Sequence, residues 1–427
     1  MADFRPFQAL RYDPAVAGEP ETLIAPPYDV VSEDDRPTLY MRGPFNVSLI
    51  DYGEEFADDS DEDNRYTRSA LDIEAWREIG VLKQDEQPTL YVYDQEFEVA
   101  GQRLSRRSIF GRLQLEEWDK KIILPHEQTG AAAKADRLRL LQATRVHLSP
   151  ILALYEGDLV PPIPEAAIGA PVFRAIMGSD KHFLRPVSPA AAEDFTKALA
   201  EQRLYIADGH HRYETGLNYR NERRAAASNW TGEEPENFII AALVSTTDPG
   251  LVCLPTHRLL KLTNRPDNLV AALAPLLSIE PAGDVSDYGV ETLVAKMAAA
   301  GRDGLAFGAA GLEPGKLHLL TPKKIDELIA LTSANQSDAW RRLDVALLHA
   351  VLPFTGFVDS PDNIDYSEWP YHAASEVNEG RWDLAMLLNP TPVVQVMNIA
   401  DGGEVMPRKS TFFFPKLATG VVMYPLD

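Results

Sequence analysis

The alternation of apolar and polar positions along the first 260 residues predicts a mixture of helices and strands with a strong strand content. Apolar residues recur at helical spacing in residues 65–82, 131–146, 189–202 and 210–227. Strands are predicted in "TLYVYDQEF", "FEVAGQR" and "SIFGRLQLEEW", which together predict an antiparallel meander. Further strands are predicted in "SPILALYEG", "PVFRAIM", "KHFLRPVS", "RLYIAD" and "NFIIAALVS". The first part of the chain is therefore predicted to be mixed.

The last part of the chain is also predicted to contain both helices and strands. Helices are predicted in "PDNLVAALAPLL", "GVETLVAKMAAA" and "SDAWRRLDVALLHAVL", and strands in "GLAFGAA", "KLHLLTP" and "PVVQVMNI". The pattern as a whole predicts the α+β class with a mixed sheet. A length of 427 residues favours two domains, or one domain with a large insertion.

Charge and cysteine content narrow the classes of partner and compartment. The chain has 41 basic and 64 acidic residues, a net charge of −23, which opposes nucleic-acid binding. Its single cysteine, Cys253, excludes an internal disulfide and a cysteine-rich zinc site. No apolar run approaches the roughly 18 residues that a membrane span needs. We therefore expect a cytoplasmic protein that does not enter membranes.

The stretch "LYIADGHHRYETGLNY" places an acid, a glycine and three basic side chains between an apolar strand and a helix. Asp208 ends the strand, Gly209 permits a tight turn, and the helix begins at about His210, followed by His211 and Arg212. A helix N-terminus with basic side chains favours a phosphate or carboxylate guest. Asp208 would then orient a histidine or bind Mg²⁺. In the alternative interpretation, Asp208 caps the helix and the histidines are structural.

A second cluster lies in "LPHEQTGAAAKADRL". His126 and Glu127 could form an acid/base pair, and Lys134 and Arg137 fall in the following helix, where they could bind phosphate. A zinc-protease motif is excluded because the position four residues after His126 is Gly130. The alternative is a polar loop that caps a helix.

Three shorter segments add candidate residues. Prolines in "APPYDVVS" give Tyr28 and Asp29 a defined direction, and "LPTHRLL" places His257 and Arg258 at the end of an apolar run. The segment "MPRKSTFFFPKLATG" joins basic and hydroxyl side chains suited to phosphate, with an aromatic run that we expect to be a buried strand: Arg408, Lys409, Ser410, Thr411 and Lys416. Each segment has a purely structural alternative. The chain contains no GxxxxGK[ST] loop and no G-x-S-x-G elbow.

These segments, taken in order, resemble the domain-of-unknown-function family numbered one thousand and fifteen. The resemblance runs from "PFQALRY" and "APPYDVVS" through "PHEQT", "KADRL", "ADGHHRYET" and "LPTHRLL" to "RLDVALLH" and "MPRKSTFFFPKL". More distantly, "DGHHR" between a strand and a helix is similar to the ParB/sulfiredoxin-like superfamily, which includes partition proteins and free-serine kinases. The DNA-binding module of the partition proteins has no counterpart here.

The resemblance implies phosphoryl transfer, as kinase or phosphatase, on a small hydroxyl metabolite, with serine and phosphoserine first. It implies Mg²⁺ as cofactor and ATP or ADP as phosphate donor or acceptor. A nucleotide-binding regulatory protein without metabolite turnover is the alternative, and a homo-oligomer is left open. The implied division is a ParB/sulfiredoxin-like region over residues 1–260 and a C-terminal α/β region over 261–427.

The residues that these inferences select fall into four groups. The candidate catalytic residues are His211, Asp208, Glu127 and His126. The candidate phosphate or nucleotide ligands are Gly209, His210, Arg212, Arg137, Lys134, Lys409, Ser410 and Thr411. The candidate substrate ligands are Tyr28, Asp29, His257 and Arg258, and the candidate metal ligand is Asp208.

Overall fold

The computed structural model describes residues 1–263, 265–302, 304–358 and 360–427. These residues form two compact units. Unit 1 consists of Met1–Pro125, Thr129–Val252 and Pro415–Asp427, and unit 2 consists of His126–Gln128 and Cys253–Phe414. The division predicted from sequence, 1–260 and 261–427, stays a prediction about domains. The last thirteen residues, 415–427, belong to the same compact unit as the N-terminus.

Unit 1 is built on a mixed sheet. The strands before residue 252 are β1 Phe4–Arg5, β2 Leu10–Tyr12, β3 Leu82–Gln84, β4 Tyr91–Val99, β5 Gln102–Gln114, β6 Ile123–Leu124, β7 Val146–His147, β8 Ile151–Tyr155, β9 Phe173–Met177, β10 Asp180–Pro186, β11 Leu204–Asp208 and β12 Phe238–Ser245. The main sheet has the order β6-β11-β8-β12-β5-β4-β10-β9, with β1 on β5. Strand β11 is parallel to β6 and antiparallel to β8, while β12 is parallel to β8. The predicted α+β class with a mixed sheet is confirmed.

The helices of unit 1 pack on this sheet and on a smaller apolar cluster. They are α1 Pro14–Ala17, α2 Arg36–Tyr40, α3 Ser48–Asp51, α4 Arg65–Glu78, α5 Ala131–Thr144, α6 Pro189–Leu199 and α7 His210–Ala226. Phe195 of α6 and Tyr213 and Leu217 of α7 belong to the core that covers β8, β11 and β12. Helix α4 packs on α5, and α5 on α7. The segment that follows β11 is thereby fixed against both the sheet and a neighbouring helix.

Unit 2 has a sheet of its own, in which each pair of neighbouring strands is antiparallel. Its strands are β13 Val252–Leu254, β14 His257–Leu260, β15 Leu277–Asp284, β16 Phe307–Ala310, β17 Lys316–Pro322, β18 Ile364–Ser367, β19 Leu384–Leu387 and β20 Phe412–Phe414. The main sheet has the order β15-β17-β16-β19-β14-β18. Its helices are α8 Leu269–Leu273, α9 Asp287–Gly301, α10 Ile325–Leu331, α11 Asp338–Arg341, α12 Asp344–Phe354, α13 Pro370–Asn378 and α14 Val393–Asp401. The last strand, β21 Tyr424–Pro425, returns to unit 1 and pairs with β7.

Three expectations about secondary structure are wrong. "FEVAGQR" is the turn of a hairpin between β4 and β5, with Ala100 and Gly101 at positive φ, so that two long strands replace the expected three. "PVVQVMNI" is helix α14, because Pro392 stands at its N-terminus and Val396, Ile399 and Ala400 recur at helical spacing against the core. "SDAWRRLDVALLHAVL" forms two helices, α11 and α12. Among the described residues, no helix is long and apolar enough to cross a membrane.

Candidate functional site

The end of strand β11 turns sharply into helix α7. The pairing register of β11 with β8 shifts between Ile206 and Asp208, which is the signature of a β-bulge, and bulges redirect the side chain that follows. Gly209 has φ +88°, and a Cβ there would lie 3.0 Å from Cγ2 of Ile151. Both facts require glycine. The strand, turn and helix predicted from sequence are confirmed at these residues.

Asp208 lies at the centre of a buried ionic cluster in unit 1. Its carboxylate is 8% exposed, with one oxygen accepting from Nζ of Lys416 and the other from Nη2 of Arg212 at 2.7 Å. Burial by itself would raise the pKa of Asp208, but the charges of Lys416 and Arg212 hold it well below its usual range. The same carboxylate, with Asp29, raises the pKa of Lys416 against the effect of burial. Asp208 and Lys416 are therefore both charged at neutral pH.

Arg212 is held on both sides of its guanidinium. Besides Asp208, it donates through Nη1 to Oγ of Ser149 at 3.0 Å and to the carbonyl oxygen of Pro150. Ser149 and Pro150 lie just before strand β8. Helix α7 has no side-chain cap, because its N-cap is Gly209. The first part of the alternative, a helix cap by Asp208, is therefore wrong, since the carboxylate accepts from two cations instead. Its second part, structural histidines, stays open.

A second ionic group lies next to the first in unit 1. Arg137 donates to Oδ1 of Asp51 at 2.9 Å and to Oδ2 of Asp136 at 2.7 Å, and its guanidinium lies 4.2 Å from the centre of the Tyr28 ring. Burial raises the pKa of Asp51, while the charges of Arg137 and Arg212 oppose that change. The two groups therefore share an electrostatic environment.

A small cavity lies between these two ionic groups. Its volume is about 40 Å³, and its polar lining includes Tyr28, Asp51, Arg137, Ser149 and Arg212. A cavity of this volume holds a few water molecules and not a metabolite. The cavity is therefore too small to be a substrate pocket.

The remaining candidates of unit 1 connect helix α5 with helix α7. Nε2 of His211 accepts from the backbone N–H of Gly130 at 2.8 Å, so the ring carries its proton on Nδ1 when neutral. Lys134 and Thr129 both donate to Oε2 of Glu214 on α7, at 2.7 and 2.6 Å. Lys134 is thus an ion-pair partner of α7, and its role in phosphate binding stays a prediction. His210 is buried at the start of α7.

The candidates in unit 2 surround the loop before strand β20. Oε1 of Glu127 accepts from the backbone N–H of Lys409 at 3.1 Å. Arg258 is 1% exposed and donates to the carbonyl oxygens of Lys409, at 3.0 Å, of Arg408, at 3.3 Å, and of Thr256. Burial lowers the pKa of Arg258 to about 10, so it remains charged at neutral pH. The charged side chains here bind backbone atoms.

The candidate histidines and hydroxyl groups of unit 2 also contact other groups of the same unit. Nε2 of His126 lies 2.9 Å from Oγ1 of Thr411, and Ser410 donates to the carbonyl oxygen of Pro407. Nδ1 of His257 accepts from the backbone N–H of Leu388 at 3.1 Å. Lys409 itself is exposed, with φ +56°. Each of these predicted roles in binding or catalysis stays a prediction.

Two features of the molecule lie outside the residues selected from sequence. Lys416 was grouped with the basic and hydroxyl residues of its segment, but it was not selected as a candidate site residue. The signal that could have found it is a single cation directly after the apolar run Phe-Phe-Phe-Pro. Unit 2 also has a cavity of about 540 Å³ lined by Arg302, Arg342 and Asp344, among others, and burial raises the pKa of Asp344 to about 6. Arg342 and Asp344 belong to the "RLDVALLH" segment, which supported the family resemblance but supplied none of the selected site residues.

Comparison with known proteins places the chain in a family. The family described as "Protein of unknown function (DUF1015)" matches residues 4–346. No curated protein matches the sequence significantly. Among solved structures, the chain is similar to a free serine kinase variant in complex with ADP, with 14% identity and a TM-score of 0.35, over 72% of this chain and 90% of that chain.

Two further structures are similar to the same degree. A conserved hypothetical protein from Pyrococcus furiosus has 14% identity and a TM-score of 0.33, over 72% of this chain and 93% of that chain. SbnI with a C-terminal truncation, from Staphylococcus aureus, has 10% identity and a TM-score of 0.33, over 73% of this chain and 87% of that chain. Similarity at these values identifies neither a reaction nor a substrate.

Proposed function

Since the chain belongs to the DUF1015 family, whose description assigns no reaction, we propose its function from the chemistry of unit 1: phosphoryl transfer to or from the hydroxyl group of a small metabolite. Serine and phosphoserine are the first substrates to test, because the "DGHHR" segment resembles the signature of the ParB/sulfiredoxin-like superfamily, which includes free-serine kinases. The kinase and phosphatase directions both remain open. ATP or ADP is the proposed donor or acceptor.

The observation that carries the proposal is the Asp208, Lys416 and Arg212 cluster at the N-terminus of helix α7. The positive end of a helix dipole disfavours cations, yet two of them lie there, and one carboxylate holds both. Phosphoryl transfer is catalysed mainly by positioned positive charge and hydrogen-bond donors. The Lys416 ammonium group donates to Asp208 and supplies the positive charge that a phosphate next to it would meet. A phosphate next to it would also meet the amide groups of the first turn of α7.

A carboxylate has to accept the proton of the attacking hydroxyl group in the kinase direction. Asp29 is exposed and lies close enough to Lys416 to raise its pKa. It is therefore the base that we propose for unit 1. Glu127, the other candidate, belongs to unit 2, where its carboxylate accepts from Lys409. His211 would donate from Nδ1 to a phosphate oxygen, because its Nε2 accepts from Gly130.

Mg²⁺ was expected at Asp208, and the described side chains do not fit a resident metal there. Both carboxylate oxygens already accept from cations, and the described residues contain no group of three or more histidine, cysteine or acidic side chains that could hold a metal ion. Mg²⁺ binds readily through phosphate oxygens and water with one or two protein carboxylates. We therefore propose that any Mg²⁺ enters with the nucleotide, as part of the substrate.

Phosphorus NMR tests the proposal directly. The purified protein is incubated with Mg²⁺ and either serine with ATP, ADP or pyrophosphate, or phosphoserine with and without ADP or AMP. We expect a new phosphorus signal in at least one mixture, at least 100-fold weaker in His211→Ala and in Lys416→Met, as for the loss of a preorganised donor. Lys197→Met is the matched control, because Lys197 is an exposed lysine of unit 1 that pairs only locally with Glu193.

The outcomes separate the proposal from its alternative. A signal that persists unchanged in both variants would remove this cluster from the mechanism. The absence of any signal, together with thermal stabilisation by a nucleotide, would instead favour a nucleotide-binding regulatory protein without metabolite turnover. The same stabilisation experiment on Lys416→Met shows whether the nucleotide binds at this cluster.

A further inference from the structure

The face of the unit 1 sheet formed by β4, β5 and β10 carries polar residues where apolar ones are expected. Gln95 pairs with Arg106 across β4 and β5 and with His182 across β4 and β10, while Tyr93 pairs with Ser108. All five side chains are 0% exposed. Burying polar groups, and above all a guanidinium, is costly unless each group has a specific partner. The hydrogen-bond partners of these five side chains therefore indicate their role.

The partners lie in the irregular segment that carries Lys416. Nη2 of Arg106 donates to the carbonyl oxygen of Pro415 at 2.6 Å and also to Oε1 of Gln95. Nε2 of Gln95 donates to the carbonyl oxygen of Lys416 at 3.1 Å. The carbonyl groups immediately before and after the Lys416 Cα are thus both held by the sheet.

A third contact secures the residues that follow. The Tyr93 hydroxyl accepts from the backbone N–H of Ala418 and lies 2.6 Å from Nδ1 of His182. Residues 415–418 belong to no helix or strand. Because their backbone forms no β-ladder, hydrogen bonds from side chains of the sheet fix it instead. Burial lowers the pKa of Arg106 to about 10, which leaves it charged at neutral pH and able to hold a carbonyl group strongly.

We infer that Arg106, Gln95 and Tyr93 are positioning residues that fix the backbone on both sides of Lys416 and so hold its ammonium group on Asp208. The catalytic consequence rests on the proposed function, whereas the position of Lys416 does not. A lysine on an irregular segment would otherwise sample many rotamers and backbone states, at a cost in preorganisation. The buried polar face removes that freedom from Lys416, which contacts Asp208.

The sharpest variant is Gln95→Glu. A glutamate keeps the size of the side chain and gives Arg106 a charged acceptor, so the buried guanidinium stays paired. It also replaces the donor to the Lys416 carbonyl group with an acceptor, so that the backbone is released at this point. A purely structural role for Gln95 predicts unchanged behaviour of Lys416 in this variant, whereas a positioning role predicts a change.

The measurement is the acetylation rate of Lys416 by acetic anhydride, followed by peptide mass spectrometry with exposed Lys197 of the same protein as internal reference. Only the neutral amine reacts, and the ion pair with Asp208 keeps Lys416 protonated. We expect slow labelling in the wild type and labelling about tenfold faster in Gln95→Glu, which corresponds to a fall of one pKa unit. Arg106→Lys, which retains a donor of shorter reach, should give an intermediate rate.

Arg220→Met supplies the matched control. Arg220 is a buried arginine of unit 1 that also donates to a backbone carbonyl, that of Leu115, at 2.6 Å. Its loss should destabilise unit 1 and leave the Lys416 labelling rate unchanged. If Arg220→Met accelerates labelling as much as Gln95→Glu does, general loosening is the cause and the inference is overturned.

Activity then separates this inference from the proposed function. With phosphoryl transfer present, Gln95→Glu should lower kcat at least tenfold and change KM much less, as for loss of a group positioned for the transition state. Wild-type labelling in Gln95→Glu overturns the inference whatever the activity. Faster labelling in a protein without phosphoryl transfer supports the positioning of Lys416 and contradicts the proposed function. Faster labelling with unchanged kcat removes Lys416 from the mechanism.

Discussion

The ionic cluster of unit 1 and the basic loop of unit 2 use the same kinds of residue in different ways. In unit 1, a buried carboxylate, Asp208, binds the side chains of a lysine and an arginine. In unit 2, the charged side chains of Glu127 and Arg258 bind the backbone around Lys409. In unit 1, ion pairs between side chains concentrate charge at one place. In unit 2, hydrogen bonds from charged side chains to the backbone hold a loop in position. The partner, rather than the residue type, distinguishes the two.

The cost of burial leads to the same distinction. Asp208, Lys416 and Arg212 are held out of water in charged form, which a protein needs only where charge is used or where it specifies one structure. Arg258 is also buried, but it donates to the backbone carbonyl groups of Thr256, Arg408 and Lys409 and to His349, and, among the described residues, to no carboxylate. Under the proposed function, the chemistry belongs to unit 1, and Arg258 and Glu127 hold the backbone of unit 2.

The largest expected difference between the two regions comes from removing one carboxylate from each. Asp208→Asn removes the carboxylate that contacts both Lys416 and Arg212, so we expect it to lower the stability of unit 1 by about 3–5 kcal/mol. Glu127→Gln keeps an amide oxygen for the Lys409 N–H and should cost unit 2 less than about 1 kcal/mol. Amide hydrogen exchange read by mass spectrometry reports the two units separately. Equal losses in the two variants would contradict the distinction.

Acid offers a second comparison, through histidines that are buried in neutral form. Burial lowers the pKa of His182 in unit 1 to about 4 and that of His257 in unit 2 to about 3. Both imidazoles have a pKa of about 6.5 when unfolded. Between pH 6.5 and the folded value, the unfolded chain therefore binds more protons, so stability falls as pH falls. At pH 5 the loss is about 2 kcal/mol for each histidine.

Asparagine variants isolate these two contributions. In His182→Asn the amide oxygen can still accept from the Tyr93 hydroxyl, and in His257→Asn it can still accept from the Leu388 N–H. Urea unfolding at pH 7 and pH 5 should show a smaller drop in stability for each variant than for the wild type, by about 2 kcal/mol. Unit 1 should lose its His182 contribution completely near pH 4, one pH unit above unit 2 and His257. A variant with the same pH dependence as the wild type would show that its histidine is already charged in the folded protein.

The sequence predicted local features well and distant partners poorly. The strand–turn–helix at Asp208, Gly209 and His210 follows from an apolar run, a glycine and helical spacing, all within a few residues. Lys416 lies more than two hundred positions from Asp208, and no local pattern encodes that pairing. Helix α14 was mistaken for a strand because Val393, Val394 and Val396 favour strands by propensity, while burial of one helical face decides the outcome.

The smallest expected effect concerns Lys409, where loop geometry and predicted function can be separated. Its φ of +56° is strained for any residue except glycine, by about 1 kcal/mol. Lys409→Gly should therefore be more stable than Lys409→Ala by up to about 1 kcal/mol, measured as the difference in free energy of unfolding. Both variants remove the ammonium group. If Lys409 binds phosphate as predicted, both lose nucleotide affinity equally, despite their different stabilities. If its position serves only the loop held by Glu127 and Arg258, both bind nucleotide as the wild type does, and only the stabilities differ.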